Sequence, residues 1–224
     1  SMPSTVLADL ESAIQNSGED EDVKVIILQS GGERTFCAGA SFDELKSIED
    51  NVEGKEFFMG FARVILAMRS CPKIIIGRIQ GKAVGGGVGL AAATDYCYAT
   101  KYASIKLSEL TIGIGPFVIA PAVERKIGLN GLSDLTLNAT EFYSPEWAKE
   151  KGLYAALFET SILMDEAVQA LAVKLASYNP EAVTAMKKAL WEGTDHWPSL
   201  LEERAEMSGT LVLSKFTKDT LGAL

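Results

Sequence analysis

Ile74-Ile75-Ile76-Gly77-Arg78-Ile79, then Gly81-Lys82-Ala83-Val84-Gly85-Gly86-Gly87, then Val88-Gly89-Leu90-Ala91-Ala92-Ala93, is the stretch that decides the fold. The first six residues form a short, nearly unbroken apolar run, the pattern of a strand buried on both faces. The next seven read as a glycine-rich loop, and the last six as the helix it feeds. An earlier stretch has a related design. Val23-Lys24-Val25-Ile26-Ile27-Leu28 reads as a buried strand, residues 30–34 as a turn, and Phe36-Cys37-Ala38-Gly39-Ala40-Ser41-Phe42 is small and apolar. Small residues let a ligand come close to the main chain. The N–H groups that open a helix are unpaired and carry partial positive charge. Two such groups converging on one point make an oxyanion hole, where a single donor supplies about 3 kcal/mol of transition-state stabilisation. The alternative is that the glycines serve only tight turns and helix–strand packing, and spacing alone does not separate the two.

Outward from these segments the chain alternates strand and helix patterns. Val6, Leu7, Leu10, Ala13 and Ile14 recur at helical spacing, and Asn16-Ser17-Gly18 ends that run. Helices are expected over 57–68, over 118–127 with closure at Gly128, and from Ser144-Pro145, a cap followed by proline at the first helical position, to Lys151. Strands are expected at Tyr96-Cys97-Tyr98-Ala99, Ile105-Lys106-Leu107 and 153–158. From Ser161 onward almost everything reads as helix. The layout is an α/β part over 1–160 followed by a helical part over 161–224.

Bulk properties remove several classes. The 224 residues carry a net charge of −9, against a nucleic-acid binder and weakly against an anionic lipid surface. Cys37, Cys71 and Cys97 are odd in number and widely spaced, which fits neither a disulfide framework nor a metal knuckle. The sole histidine, His196, reads as a helix-end or surface residue, and its isolation argues against Ser-His-Asp, Cys-His and His-rich metal sites. No signal peptide is evident at the start, and no apolar run approaches the roughly 20 residues of a membrane span. A soluble, cytoplasmic or organelle-matrix protein is expected.

A rival motif overlaps the second glycine segment. Gly87-Val88-Gly89-Leu90-Ala91-Ala92 fits the dinucleotide pattern G-x-G-x-x-A, with Glu109 about 20 residues on. That fingerprint needs the strand to run straight into the first glycine, and here residues 80–84 intervene. A nicotinamide site is therefore disfavoured.

Phe36-Cys37-Ala38-Gly39-Ala40 followed by Gly81-Lys82-Ala83-Val84-Gly85-Gly86-Gly87 resembles the two signature segments of the crotonase family, the enoyl-CoA hydratases and isomerases. The gap between them, the later Ser108-Glu109-Leu110-Thr111-Ile112-Gly113 and the helical tail fit the same layout, so the resemblance spans essentially the whole chain. It implies an α/β, ClpP-like spiral of repeated ββα units with a helical C-terminal region for trimerisation. It also implies an acyl-CoA substrate, with coenzyme A as part of that substrate and no separate cofactor or metal, and assembly into a homotrimer or a dimer of trimers. Carried over by position, the N–H groups of Ala40 and Gly86 bind the thioester oxygen, and Ala38 lies beside the adenine end of CoA. Phe42, Gly85, Gly89, Ser108 and Phe117 fall at the substrate. The family's two catalytic glutamates fall on Glu109 and on position 89, where this chain has Gly89.

That departure bears on the reaction. Family isomerases of the mitochondrial type are similar in keeping the glutamate matching Glu109 with an apolar residue at the other position. Gly85-Gly86-Gly87-Val88-Gly89-Leu90 with Ser108-Glu109-Leu110 and Gly115-Pro116-Phe117-Val118-Ile119-Ala120-Pro121 resembles the bacterial methylglutaconyl-CoA hydratases of leucine breakdown, which likewise carry glycine there. The expectation is a hydratase of a branched or acidic 2-enoyl-CoA, with a Δ3,Δ2-enoyl-CoA isomerase as runner-up and a non-catalytic acyl-CoA-binding subunit as a third reading. Leu107, Leu110, Ile112 and Ile114 flank Glu109, and an apolar pocket would raise its pKa toward neutrality.

Three further expectations follow. Residues 113–117 form either the floor or mouth of the acyl pocket or a plain turn ahead of a helix. Phe57, Phe58 and Phe61 read as core in preference to ligand contacts. Asp43 replaces a basic residue that meets the CoA phosphates in relatives, leaving Lys46 as the nearest substitute. Against the family layout the chain also looks short at both ends.

Overall fold

The computed structural model describes residues 1–223. Among these residues seven strands form two parallel sheets: β1 Val25–Leu28, β3 Ile74–Ile79, β5 Tyr96–Thr100 and β7 Ala156–Phe158 in one, and β2 Thr35–Cys37, β4 Lys82–Val84 and β6 Ile105–Lys106 in the other. The odd strands pair in the order β1-β3-β5-β7 and the even strands in the order β2-β4-β6. Each β-β step thus places its first strand in the four-stranded sheet and its second in the three-stranded one. Three successive steps, 25–37, 74–84 and 96–106, wind the chain through both sheets, a repeat of the kind that the family resemblance implies.

The apolar continuity of β3 follows from its place. Ile74, Ile75, Ile76 and Ile79 are buried, because β1 and β5 flank the strand and helices cover its faces. On one face Ile74 and Ile76 meet Met164 and Val168 of helix α7, Ser161–Ser177. On the other Ile75 and Ile79 join the main core with Ile65, Met68 and Leu90.

The helices are α1 Ser4–Glu19, α2 Phe42–Ser47, α3 Asn51–Ser70, α4 Gly86–Ala93, α5 Ala120–Leu137, α6 Pro145–Glu150, α7, α8 Pro180–Leu190, α9 Trp197–Leu211 and α10 Lys215–Gly222. Helix α1 continues past the expected stop to Glu19, with Gly18 tucked against Pro72 and Cys71. Helix α3 begins at Asn51, since Asp50 caps it by accepting from the N–H groups of Val52 and Glu53. Helix α5 breaks at Gly128, as expected, at φ 73°, and a second helical run follows to Leu137. His196 is exposed ahead of α9, and all three cysteines are buried and free. Among the described residues no helix is long and apolar enough to cross a membrane.

Candidate active site

Parallel pairing brings the two glycine-containing segments together. β2 pairs with β4 (Thr35 with Lys82, Cys37 with Ala83) and β4 with β6 (Ala83 with Ile105, Val84 with Lys106). The carboxyl ends of three neighbouring strands therefore open on one side, a common place for ligands in parallel sheets. From β2 emerge Ala38, Gly39 and Ala40; from β4 emerge Gly85 and Gly86; from β6 emerge Ser108 and Glu109. A Cβ on Gly39 would sit 3.8 Å from the Gly86 nitrogen, which measures how closely the first two segments approach.

Gly85, at φ 54°, turns β4 into α4. Its own N–H donates to the Lys106 carbonyl oxygen at 2.9 Å, and the Gly39 N–H donates to Cys37 Sγ at 3.4 Å. Among the described residues, the N–H groups of Ala40 and Gly86 find no acceptor, and both residues line the cavity. Gly86 must be glycine because a Cβ there would lie 2.3 Å from the Phe61 ring.

Glu109 opens a short 3-10 turn, Glu109–Ile112, held at its end by Gly113 at φ 84°. Helix α10 closes over this turn, so that a Cβ on Gly113 would meet Thr217 Oγ1 at 2.5 Å and Phe216 Cδ1 at 2.6 Å. The carboxylate reaches over the second segment, with Oε1 2.9 Å from where a Cβ on Gly85 would stand. Oε2 is buried without a hydrogen-bond partner. Burial in this apolar setting penalises the charged form and pushes the Glu109 carboxyl up to about 7.

The cavity these groups face is about 90 Å³. It is lined by Ala38, Ala40, Phe42, Gly85, Gly86, Ser108, Glu109 and Phe117, so eight of the nine residues singled out in the sequence converge on it. The ninth, Gly89, does not line it. A Cβ on Gly89 would lie 2.4 Å from Ile119 Cγ2, and Ile119 itself lines the cavity, standing where a side chain from position 89 would have to pass. Phe57, Phe58 and Phe61, read as core, also line the cavity, as does Ser208 from α9. Their i, i+1, i+4 spacing gave only the helix face. Nothing local in the sequence marks Ser208, which arrives from far along the chain. Lys46 is exposed on α2, and among the described residues no lysine or arginine lines the cavity. The dinucleotide reading loses its footing: a Cβ on Gly87 would be 2.7 Å from the Cys37 carbonyl oxygen, so that Gly87 and Gly89 are packed against protein and leave no room for a pyrophosphate.

A carboxyl near neutrality beside two unpaired N–H donors suits proton transfer next to a carbonyl whose oxygen gains negative charge. The family model described as Enoyl-CoA hydratase/isomerase matches residues 1–220. The chain is 30% identical over 191 residues to the short-chain-enoyl-CoA hydratase of Clostridium acetobutylicum, covering 85% of this chain and 72% of that protein. It is also 30% identical over 197 residues to the peroxisomal Delta(3,5)-Delta(2,4)-dienoyl-CoA isomerase of Arabidopsis thaliana, covering 81% and 69%. The crystal structure of an enoyl-CoA hydratase from Bacillus halodurans superposes with a TM-score of 0.91 over 100% of this chain and 90% of that one, at 24% identity, a likeness of fold. The chain is thus a crotonase-fold enzyme, and it belongs to the enoyl-CoA hydratase/isomerase family.

Proposed function

We propose that the protein hydrates a 2-enoyl-CoA thioester with Glu109 as its only acid–base side chain. The observation that carries this reading is the Glu109 carboxylate, set in an apolar cavity beside the Ala40 and Gly86 N–H groups with its Oε2 unshared. The thioester oxygen accepts from those two N–H groups. Glu109, ionised, takes a proton from water as the hydroxide bonds to C3; the electrons of the C2–C3 double bond move toward the thioester oxygen, and Glu109 returns the proton to C2. One carboxylate serves both transfers because neither oxygen is committed to another side chain. A pKa near neutrality keeps both protonation states within reach.

A second reading, Δ3-to-Δ2 isomerisation, is favoured by Ile119. It fills the place from which a second carboxylate would help hold the water, and a buried water needs two to four polar partners. In that reaction Glu109 removes a proton from C2 and delivers it to C4, and no water enters. Among the described residues no lysine or arginine lines the cavity, which favours a neutral acyl group over an acidic one, since a buried carboxylate without a cation is costly. The same reading includes self-association as a trimer or dimer of trimers, supported by exposed apolar side chains such as Leu137 at 76%, Ile162 at 71% and Val173 at 60%.

The test follows the conjugated thioester absorbance with crotonyl-CoA, 3-methylglutaconyl-CoA and a 3-enoyl-CoA, alongside Glu109→Gln. Loss of absorbance from a 2-enoyl substrate, absent in the variant, is the expected result. A rise from the 3-enoyl substrate alone assigns the isomerase. Silence on all three sinks both reactions and leaves a binding subunit.

A further inference from the structure

Two buried side-chain oxygens line the same cavity without a hydrogen-bond partner: Glu109 Oε2 and Ser208 Oγ. The proposed reaction uses the first and leaves the second unexplained. Ser208 is 1% exposed. A buried hydroxyl left unpaired costs about 1–3 kcal/mol, and an alanine would occupy the site without that cost.

Its position along the helices says what it faces. Helix α9 crosses α3 at Gly209 and Gly54, so closely that a Cβ on Gly54 would lie 2.6 Å from the Gly209 carbonyl oxygen. Ser208 is the neighbour of Gly209, so it sits at the level of Gly54. The Phe61 ring, at the other end of this wall, abuts Gly86. Gly54 precedes Phe61 by seven residues, which at 1.5 Å per residue is roughly 10 Å along α3. Phe57 and Phe58 line the cavity between those levels. An acyl chain that runs along this wall from a thioester oxygen on Ala40 and Gly86 would bring its far part, beyond the carbons that react, to the level of Ser208.

We propose that Ser208 is a specificity-determining residue whose hydroxyl hydrogen-bonds a neutral oxygen, hydroxyl or keto, on the distal part of the acyl group. This rests on the enoyl-CoA reading of the cavity. A plain hydrocarbon chain leaves Ser208 unpaired, whereas an oxygenated chain removes that penalty on binding. Sites built to hydrogen-bond a substrate oxygen discriminate strongly against analogues that lack it. The oxygen is neutral because no cationic side chain among the described residues lines the cavity.

The test compares hex-2-enoyl-CoA with 6-hydroxyhex-2-enoyl-CoA by kcat/KM, and their saturated counterparts by calorimetric Kd, in the wild type, Ser208→Ala and Ser208→Thr. The wild type is expected to prefer the hydroxylated ligand about tenfold or more in both measurements. In Ser208→Ala the ratio falls to about one, with the loss mainly in KM. Ser208→Thr keeps the hydroxyl and retains the preference. A wild-type ratio at or below one overturns the proposal, as does a ratio unchanged in Ser208→Ala. If the wild type turns over neither substrate, it is the proposed reaction that fails, and the Kd ratios alone decide the role of Ser208.

Discussion

Ile119 occupies the space into which residue 89 would project: a Cβ on Gly89 would lie 2.4 Å from Ile119 Cγ2. The pocket is packed around glycine with Ile119 as an aliphatic plug, and among the described residues Glu109 is the one carboxylate in a lining that is apolar apart from the backbone, Ser108 and Ser208.

This packing makes a measurable claim. Gly89→Ala inserts a methyl group against Ile119 and is expected to cost about 1–3 kcal/mol through overpacking. Ile119→Ala alone removes buried methylenes and is expected to cost about 2–5 kcal/mol. In the double variant the two changes share one space, so the cost falls below the sum by about 0.5–3 kcal/mol. Urea unfolding of the four proteins checks it; strictly additive costs would mean that Ile119 does not fill the space.

Glu109 sets both a rate profile and a stability profile. Its carboxyl is raised from 4.5 to about 7 by burial. In the proposed reaction Glu109 acts as the ionised base, so kcat/KM is expected to rise with pH through an inflection near 7, and Glu109→Gln to lose about 10²–10⁴-fold. For stability, the folded state binds this proton more tightly than the unfolded state. The contribution is thus fully present below about 4.5 and is lost as pH rises through about 7, on the order of 3 kcal/mol in all. Glu109→Gln lacks this dependence, so its melting temperature relative to wild type should rise between pH 5 and pH 8. A flat difference would place the Glu109 carboxylate in water.

The helix crossing behind Ser208 depends on two glycines. A Cβ on Gly209 would lie 2.5 Å from the Lys55 backbone nitrogen, a group that cannot move aside. Gly209→Ala is expected to push α9 away from α3, costing about 1–3 kcal/mol, and to raise KM for longer acyl chains more than for crotonyl-CoA. Equal KM changes for all chain lengths would remove α9 from the acyl wall.

Much of this was legible from the sequence because it rests on local patterns. The apolar runs of β1, β3 and β5 declared buried strands, and small residues after the first two marked places where backbone N–H groups are open. Burial of the Glu109 carboxylate could be expected from Leu107, Leu110, Ile112 and Ile114 on either side, although Leu110 itself turns outward and is 42% exposed. Of the even-numbered strands only β6 was legible, as Ile105-Lys106-Leu107; β2 and β4 were not. β2, β4 and β6 are two or three residues long, and Lys82-Ala83-Val84 becomes a strand only because Cys37 and Ile105 flank Ala83. Phe61 against Gly86, Ile119 against Gly89 and Ser208 in the cavity join elements distant in the chain, and no single-sequence pattern encodes such contacts. The three phenylalanines show the limit most plainly: Phe61 is buried as read, but Phe57 and Phe58 are only partly buried, and all three border the cavity.

The buried pair Lys187–Asp95 closes the fold behind the site. Nζ lies 3.0 Å from Oδ2, with the side chains 2% and 3% exposed. Each partner is otherwise satisfied. Lys187 donates to the carbonyl oxygens of Met68 at 2.9 Å and Lys73 at 2.8 Å, while Asp95 accepts from the Ile75 N–H at 2.8 Å and Trp191 Nε1 at 2.6 Å. The pair thereby ties α8 to the end of α3 and to the starts of β3 and β5. Lys187→Met would leave Asp95 as an uncompensated buried charge and two carbonyls without their donor, so a loss of about 3–5 kcal/mol is expected. None of these residues lines the cavity. The kcat at 25 °C should therefore stay near the wild-type value while the urea midpoint falls. A fall in kcat at a temperature where the variant is fully folded would mean that the pair also holds the catalytic strand ends in place.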